Sequence, residues 1–166
     1  MTARQRYCDA HRRWYEINRK VVIASGFYPG VKDIPDINTA NGMQRYIVNV
    51  MGYLGHQAER VNSMGVPKAK MAGKFSLLSG KVEQVQVGID WRKSGSTTGT
   101  GDVHGIFKHP GHPFGIPFKA EVKKGNDTMC KAQYIYEKRV TDTGALYVVI
   151  KSIDQWWVFY DYVVAL

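Results

Sequence analysis

The sequence predicts an α/β domain in which a mixed sheet is flanked by helices, and three observations lead there. Two largely apolar runs, 103–107 and 116–122, enclose the dense turn chemistry of His109-Pro110-Gly111-His112-Pro113-Phe114-Gly115 and read as an antiparallel hairpin. A further run, 146–150, is apolar on both faces, as in a strand covered by helices. Apolar residues also recur at helical spacing, as Met43, Ile47, Val50, Met51 and Leu54, and again as Met129, Ala132, Tyr136 and Val140.

Taken in order, residues 5–20 form a basic helix with Tyr7, Trp14, Tyr15 and Ile17 available for packing. Residues 26–41, with Pro29, Gly30 and Pro35, read as a linker or wrap. Residues 1–40 are therefore an N-terminal extension, expected to pack on the core with its basic face in solvent, and 41–166 the domain proper. Helix 41–54 stops at Gly55, and its methionines fill core. Residues 64–95 are expected to be an insertion. There Val85, Val87, Ile89 and Trp91 alternate with Gln84, Gln86, Gly88 and Asp90, an amphipathic strand after a flexible Gly/Lys segment. Gly125-Asn126-Asp127-Thr128 supplies short polar caps for a helix start, and Gly144 reads as that helix's C-terminal cap. Ser152 followed by Gln155 resembles a capping box for the last helix. That helix carries Trp156, Trp157, Phe159, Tyr160, Val163 and Val164, too many apolar groups for one solvent-facing surface, so core and a homodimer face are both expected.

The chain has 166 residues, 44% of them hydrophobic, enough for one real core. Lys and Arg number 23 against 14 Asp and Glu, a net charge of +9. Such an excess attracts phosphate and predicts binding that weakens steeply with salt. Two cysteines, Cys8 and Cys130, give no disulfide framework. No apolar stretch approaches a membrane helix, and the first residues lack the apolar core of a secretion signal. The expected setting is a reducing cytoplasm, bacterial or that of an infected host, with no membrane partner. His104, His109 and His112 lack a second paired-cysteine motif for zinc, and no Gly-rich nucleotide loop opens a helix.

The chemistry is carried by Gly101-Asp102 and Glu121-Val122-Lys123. These place two carboxylates and an ammonium at the open end of the hairpin. Residues i and i+2 of a strand share a face, so Glu121 and Lys123 point together while Val122 enters the core. Hard cations take carboxylate oxygens, so Asp102 and Glu121 are candidate ligands for Mg²⁺ or Mn²⁺. Gln133, the one polar member of an otherwise apolar helical stripe, needs hydrogen-bond partners, and the nearest are the polar groups at the end of the preceding strand. A boundary Gln that reaches solvent is the alternative, and the site role is favoured beside Asp102 and Glu121-Val122-Lys123. His104 lies two residues from Asp102 and reads as a structural or nucleic-acid-contacting histidine. Arg60, Arg92, Lys93 and Lys124 are candidate phosphate contacts, although a solvated basic surface accounts for them equally.

Across about 41–159 these pieces, in order, resemble the VRR-NUC branch of the PD-(D/E)xK nuclease superfamily. They are the helical run Met43-Gln44-Arg45-Tyr46-Ile47, then Ala58-Glu59-Arg60-Val61, Gly99-Thr100-Gly101-Asp102-Val103, Glu121-Val122-Lys123, Gln133, and 145–150 leading into Lys151-Ser152. The resemblance implies a restriction-endonuclease-like core of helix, three strands, helix and strand. It also implies a Mg²⁺- or Mn²⁺-dependent endonuclease acting on DNA, including branched duplexes such as Holliday junctions, of the kind common in phage genomes. Asp102, Glu121 and the Val122 carbonyl would hold the metal, Lys123 would stabilise charge, and Gln133 would position the site. Two departures stand out. Gly101 replaces the usual proline, and Gln44 stands where many relatives carry a metal-binding Glu; Glu59 and Asp90 are candidate substitutes, with Glu59 beside Arg60 equally readable as a salt-bridged surface residue. A nucleic-acid-binding accessory protein without turnover and an RNA-directed nuclease remain alternatives.

Overall fold

Residues 1–18, 28–61, 66–75, 81–92, 97 and 99–166 are described by the computed structural model. In chain order the elements are α1 (Ala3–Asn18), α2 (Ala40–Tyr53), β1 (Gln57–Arg60), β2 (Val66–Phe75), β3 (Val82–Arg92), β4 (Val103–His109), β5 (His112–Val122), α3 (Lys131–Asp142), β6 (Leu146–Ile150) and α4 (Ile153–Val164). They divide into two compact units, one of residues 1–61 and 98–166, the other of residues 62–97.

In the first unit four strands form a mixed sheet in the order β1-β4-β5-β6, flanked by helices. β1 and β5 both run antiparallel to β4, whereas β6 runs parallel to β5. A parallel neighbour cannot be reached by a hairpin, and α3 provides the crossover. From α2 onward the unit follows helix, three strands, helix, strand.

Strand alternation divides this sheet into two unlike faces. One face carries Val103, Phe107, Ile116, Phe118, Ala120, Val122 and Ile150 into a core with Met43, Tyr46, Ile47, Val50 and Met51 of α2 and Ile153, Trp156, Trp157 and Val163 of α4. Trp156 lies in ring contact with both Phe107 and Phe118. Burying each such side chain contributes roughly 1.5–3 kcal/mol. The opposite face carries Glu59, Asp102, His104, Lys119, Glu121 and Tyr147. α3 packs on this face, where Tyr136 meets Tyr147 of β6 edge-on.

The N-terminal helix contributes to the same core. Tyr7 is fully buried, Asn49 Nδ2 donates to Tyr7 Oη at 2.8 Å, and Tyr46 Oη donates to the Ala3 carbonyl at 2.6 Å. Trp157 Nε1 in turn donates to Tyr46 Oη at 3.0 Å, and the Arg6 guanidinium lies 3.7 Å from the Trp157 ring centroid. In α4, Trp156, Trp157 and Val163 are buried while Val158 and Tyr162 stay exposed.

Three local expectations need correction. The hairpin turn is not 109–115 but Pro110-Gly111 alone, because His109 pairs with His112 and β5 begins there. Pro113 and Pro117 both precede Phe118, the first residue paired with β6, so on that side their missing N–H groups cost no ladder bond. The helix expected to start at 125–128 starts at Lys131. Residues 124–127 close a turn through Asp127 N–H to the Lys124 carbonyl at 3.1 Å, and Cys130 becomes the N-cap. At Ser152 the hydroxyl accepts from Gln155 N–H at 3.3 Å as a capping box requires, but Gln155 Oε1 reaches back to Lys151 N–H. Gly144, at φ 80°, follows the C-cap Thr143 of α3.

The second unit is a two-stranded antiparallel ribbon, β2 with β3, with a register shift between Lys70 and Met71. The Gly/Lys segment read as flexible therefore includes a strand, β2. Met71, Val82, Val85, Val87 and Ile89 are exposed on this ribbon. Among the described residues no helix is long and apolar enough to cross a membrane.

Candidate active site

The polar face of the sheet gathers the expected site residues at the β4/β5 end. Alternation along β5 sends Ala120 and Val122 into the core and turns Glu121 to the other face, with Lys123 following it. Glu121 is 3% exposed and Lys123 6%, a depth at which ionised side chains survive only when paired. Lys123 Nζ lies 3.0 Å from Glu121 Oε1 and 3.4 Å from Asp127 Oδ2. The second carboxylate oxygen, Glu121 Oε2, is buried with no hydrogen-bond partner.

Asp102 precedes β4 and is tied into the sheet twice. Its backbone carbonyl accepts Val61 N–H at 2.9 Å, and its Oδ2 accepts Val122 N–H at 2.9 Å. The second bond clamps the carboxylate beside the Glu121-Val122-Lys123 segment. Approaching it, Gly99 has φ 85° and packs on the first turn of α3, where a Cβ would meet the Ala132 carbonyl at 2.5 Å. A side chain there would therefore be excluded twice, by backbone conformation and by contact.

Gln133 joins the helix start to the site. Its Oε1 accepts the Cys130 N–H at 2.9 Å, so its Nε2 is left to donate, and it donates to Glu121 Oε1. A glutamine amide has one acceptor end and one donor end, and both are now assigned. Gln44 reaches the site from α2. Its Oε1 accepts from Arg60 Nε at 3.0 Å, and its side chain also interacts with the Asp102 carboxyl.

Electrostatics reflect this crowding. Burial, then the negative charge of Asp102, push the Glu121 carboxyl up to about 7, against the pull of Lys123. Burial also raises Asp102, although the Val122 N–H and Lys123 oppose it. For Lys123, burial disfavours the ammonium, but Glu121 and Asp127 outweigh it and its pKa is held above the ordinary value. His104 is lowered to about 4 by burial and by Lys119, so it is neutral near pH 7.

Asp102, Glu121, Lys123, Gln133 and Gln44 thus lie together. His104 is one row further along the same sheet face, with Nε2 buried and unpartnered. Glu59 pairs in register with His104 and is exposed, and Arg60 engages Gln44. Lys124 lies two residues beyond the end of β5. Asp90 and Arg92 belong to β3 of the other unit, and Lys93 lies outside the described residues. Sequence reasoning missed Asp127 as a partner of Lys123, having assigned it to a helix start. It also missed Tyr147, whose buried Oη has no partner and whose hydroxyl the Glu121 charge reaches. The available signal was a phenol inside an otherwise aliphatic strand.

Comparison with protein-family models, curated proteins and solved structures finds no match. The likeness to VRR-NUC nucleases rests on the residues alone. Among the described residues no group of three or more His, Cys, Asp or Glu side chains is poised for a metal. The donor set is therefore two carboxylates, one of which has a buried, unengaged oxygen. Such a set fits a hard, largely hydrated dication, which needs only one or two carboxylates from the protein. It does not fit a closed, four-ligand structural zinc site.

Proposed function

We propose that the protein is a metal-dependent phosphodiester hydrolase, a nuclease of DNA. The observation that carries this reading is Glu121 Oε2, a buried carboxylate oxygen without a partner beside a second carboxylate, Asp102. Leaving such an oxygen unsatisfied costs about 1–3 kcal/mol or more, a cost that a bound cation would remove. Asp102, Glu121 and the Val122 carbonyl would hold Mg²⁺ or Mn²⁺, which when bound supplies Lewis-acid stabilisation of a phosphate group.

The chain's own groups do the rest. Gln133, locked at its acceptor end, holds Glu121 in one rotamer and leaves Oε2 as its free oxygen. Val122 N–H holds Asp102 in the same way. Lys123 carries a positive charge beside this pair, placed to offset negative charge developing on a phosphate. The net charge of +9 draws a polyanionic substrate to the surface as a whole.

A second reading, nucleic-acid binding without turnover, is favoured by Gln44. It is neutral, and its oxygen is committed to Arg60, so it adds no third carboxylate. The deciding experiment is cleavage of labelled four-way junction, flap, duplex, single-stranded DNA and RNA with Mg²⁺, Mn²⁺ or EDTA. We expect metal-dependent cutting that falls about 10²–10³-fold in Lys123→Ala while binding changes little. Tight binding with no cutting on any substrate would leave the binding-protein reading in its place.

A further inference from the structure

The site face of the sheet continues beyond the carboxylates. Strand register sets Glu59, His104, Lys119 and Tyr147 in one row across β1, β4, β5 and β6. His104 is two residues from Asp102, Lys119 is two residues from Glu121, and Tyr147 is the register partner of Lys119 on β6. The whole row therefore shares the face of the proposed site, about two residue rises away, roughly 6.8 Å.

Two of its members hold polar atoms that nothing satisfies. His104 Nε2 and Tyr147 Oη are each buried without a hydrogen-bond partner, and with Glu121 Oε2 they make three of the four such atoms among the described residues. Native interiors satisfy nearly all such groups, so three orphans on one face need an explanation. Between the two in register lies Lys119, half-buried, whose charge is felt by His104 and Glu59 without a direct ion pair among the described residues. A cation flanked by a hydroxyl and an imidazole is a donor set for an anion. Glu59, at the exposed end of the row on the edge strand, is screened by solvent.

We propose that Lys119, His104 and Tyr147 form a second phosphate subsite, which holds the phosphate one nucleotide away from the phosphate under attack. This rests on the nuclease reading for the first phosphate and adds to it a requirement: the substrate must be a chain with phosphates in succession. The offset between the two rows is the length scale of a single nucleotide step. A lone phosphodiester would fill only one of the two positions.

Thymidine 3′,5′-bisphosphate carries two phosphates across one nucleoside and tests this by binding, without turnover. In Mg²⁺, titration calorimetry should show it binding about tenfold more tightly than the better of thymidine 3′- and 5′-monophosphate. Lys119→Met should remove that advantage. Tyr147→Phe, which deletes only an unpartnered hydroxyl and should leave the fold intact, should reduce it severalfold. Equal binding of bisphosphate and monophosphates, or an advantage untouched by both variants, overturns the subsite. If the advantage is present and depends on Lys119 but the parent protein cleaves no substrate, the subsite stands and the nuclease reading falls.

Discussion

Replacing Glu121 by glutamine should make the metal-free protein more stable while destroying its proposed activity. The carboxyl is raised from its ordinary 4.5 to about 7, by burial first and by Asp102 second. Folding therefore favours the protonated form. The penalty is absent below about pH 4.5, grows as pH rises through 7, and is complete above it. At ~1.4 kcal/mol per tenfold change in proton affinity, it reaches up to roughly 3 kcal/mol at pH 8. Glutamine keeps an oxygen to accept from Lys123 and Gln133 but takes away the nearest counter-charge of Lys123, which keeps its ion pair with Asp127 and the more distant charge of Asp102. Allowing for that loss, a net gain of about 1–2 kcal/mol is expected at pH 8, with little difference at pH 4.5. Urea unfolding of both proteins in EDTA at the two pH values measures it. A variant no more stable than its parent at pH 8, or a difference that ignores pH, would refute the view that Glu121 is held ionised at a cost.

Other expectations address the supports around the site. Gln133→Ala removes both the acceptor for Cys130 N–H and the donor to Glu121, so cleavage or Mg²⁺ affinity should drop about 10–100-fold. Circular dichroism should show α3 retained. Gly105→Ala would drive a Cβ into the Gln57 carbonyl and the Phe118 ring, costing ~1–3 kcal/mol in denaturant unfolding and loosening β1 first. His56 accepts Lys108 N–H at Nδ1 at 3.0 Å and faces Tyr160 Oη from Nε2, which requires a neutral ring. Burial, then Lys108, lower its pKa from 6.5, so its contribution is fully present above that value and lost as pH falls below it. The stability difference between the parent and His56→Gln should accordingly shrink between pH 7 and 5.

What could be read in advance was what local pattern controls. Alternation along β5 was enough to separate Glu121 and Lys123 from the core-facing Ala120 and Val122. Helical spacing identified Gln133 as the polar intruder on its stripe. The start of α3 escaped because Asn126, Asp127 and Thr128 are equally good turn residues, and tertiary contact with Lys123 decided between the two uses. β2 escaped because Lys68, Lys70 and Gly73 mask any alternation, and its pairing with β3 is what defines it. The link from Arg60 through Gln44 to Asp102 spans three elements, and no spacing along the chain encodes it.

β1 and β4 are immediate neighbours in the sheet, yet the chain leaves β1 at Arg60 and enters β4 only at Val103, after the second unit, residues 62–97. Were that excursion unstructured, closing it instead of a four-residue turn would cost roughly 2 kcal/mol of chain entropy, and the pairing of β2 with β3 lowers that cost. That cost falls on β1, a strand of four residues whose sheet partner among the described residues is β4 alone. β1 carries Arg60, and through Arg60 it reaches Gln44 and the edge of the site. A short edge strand thus borders the chemistry. Opening of this edge would loosen Asp102, whose carbonyl is bonded to Val61, long before the core behind it gives way.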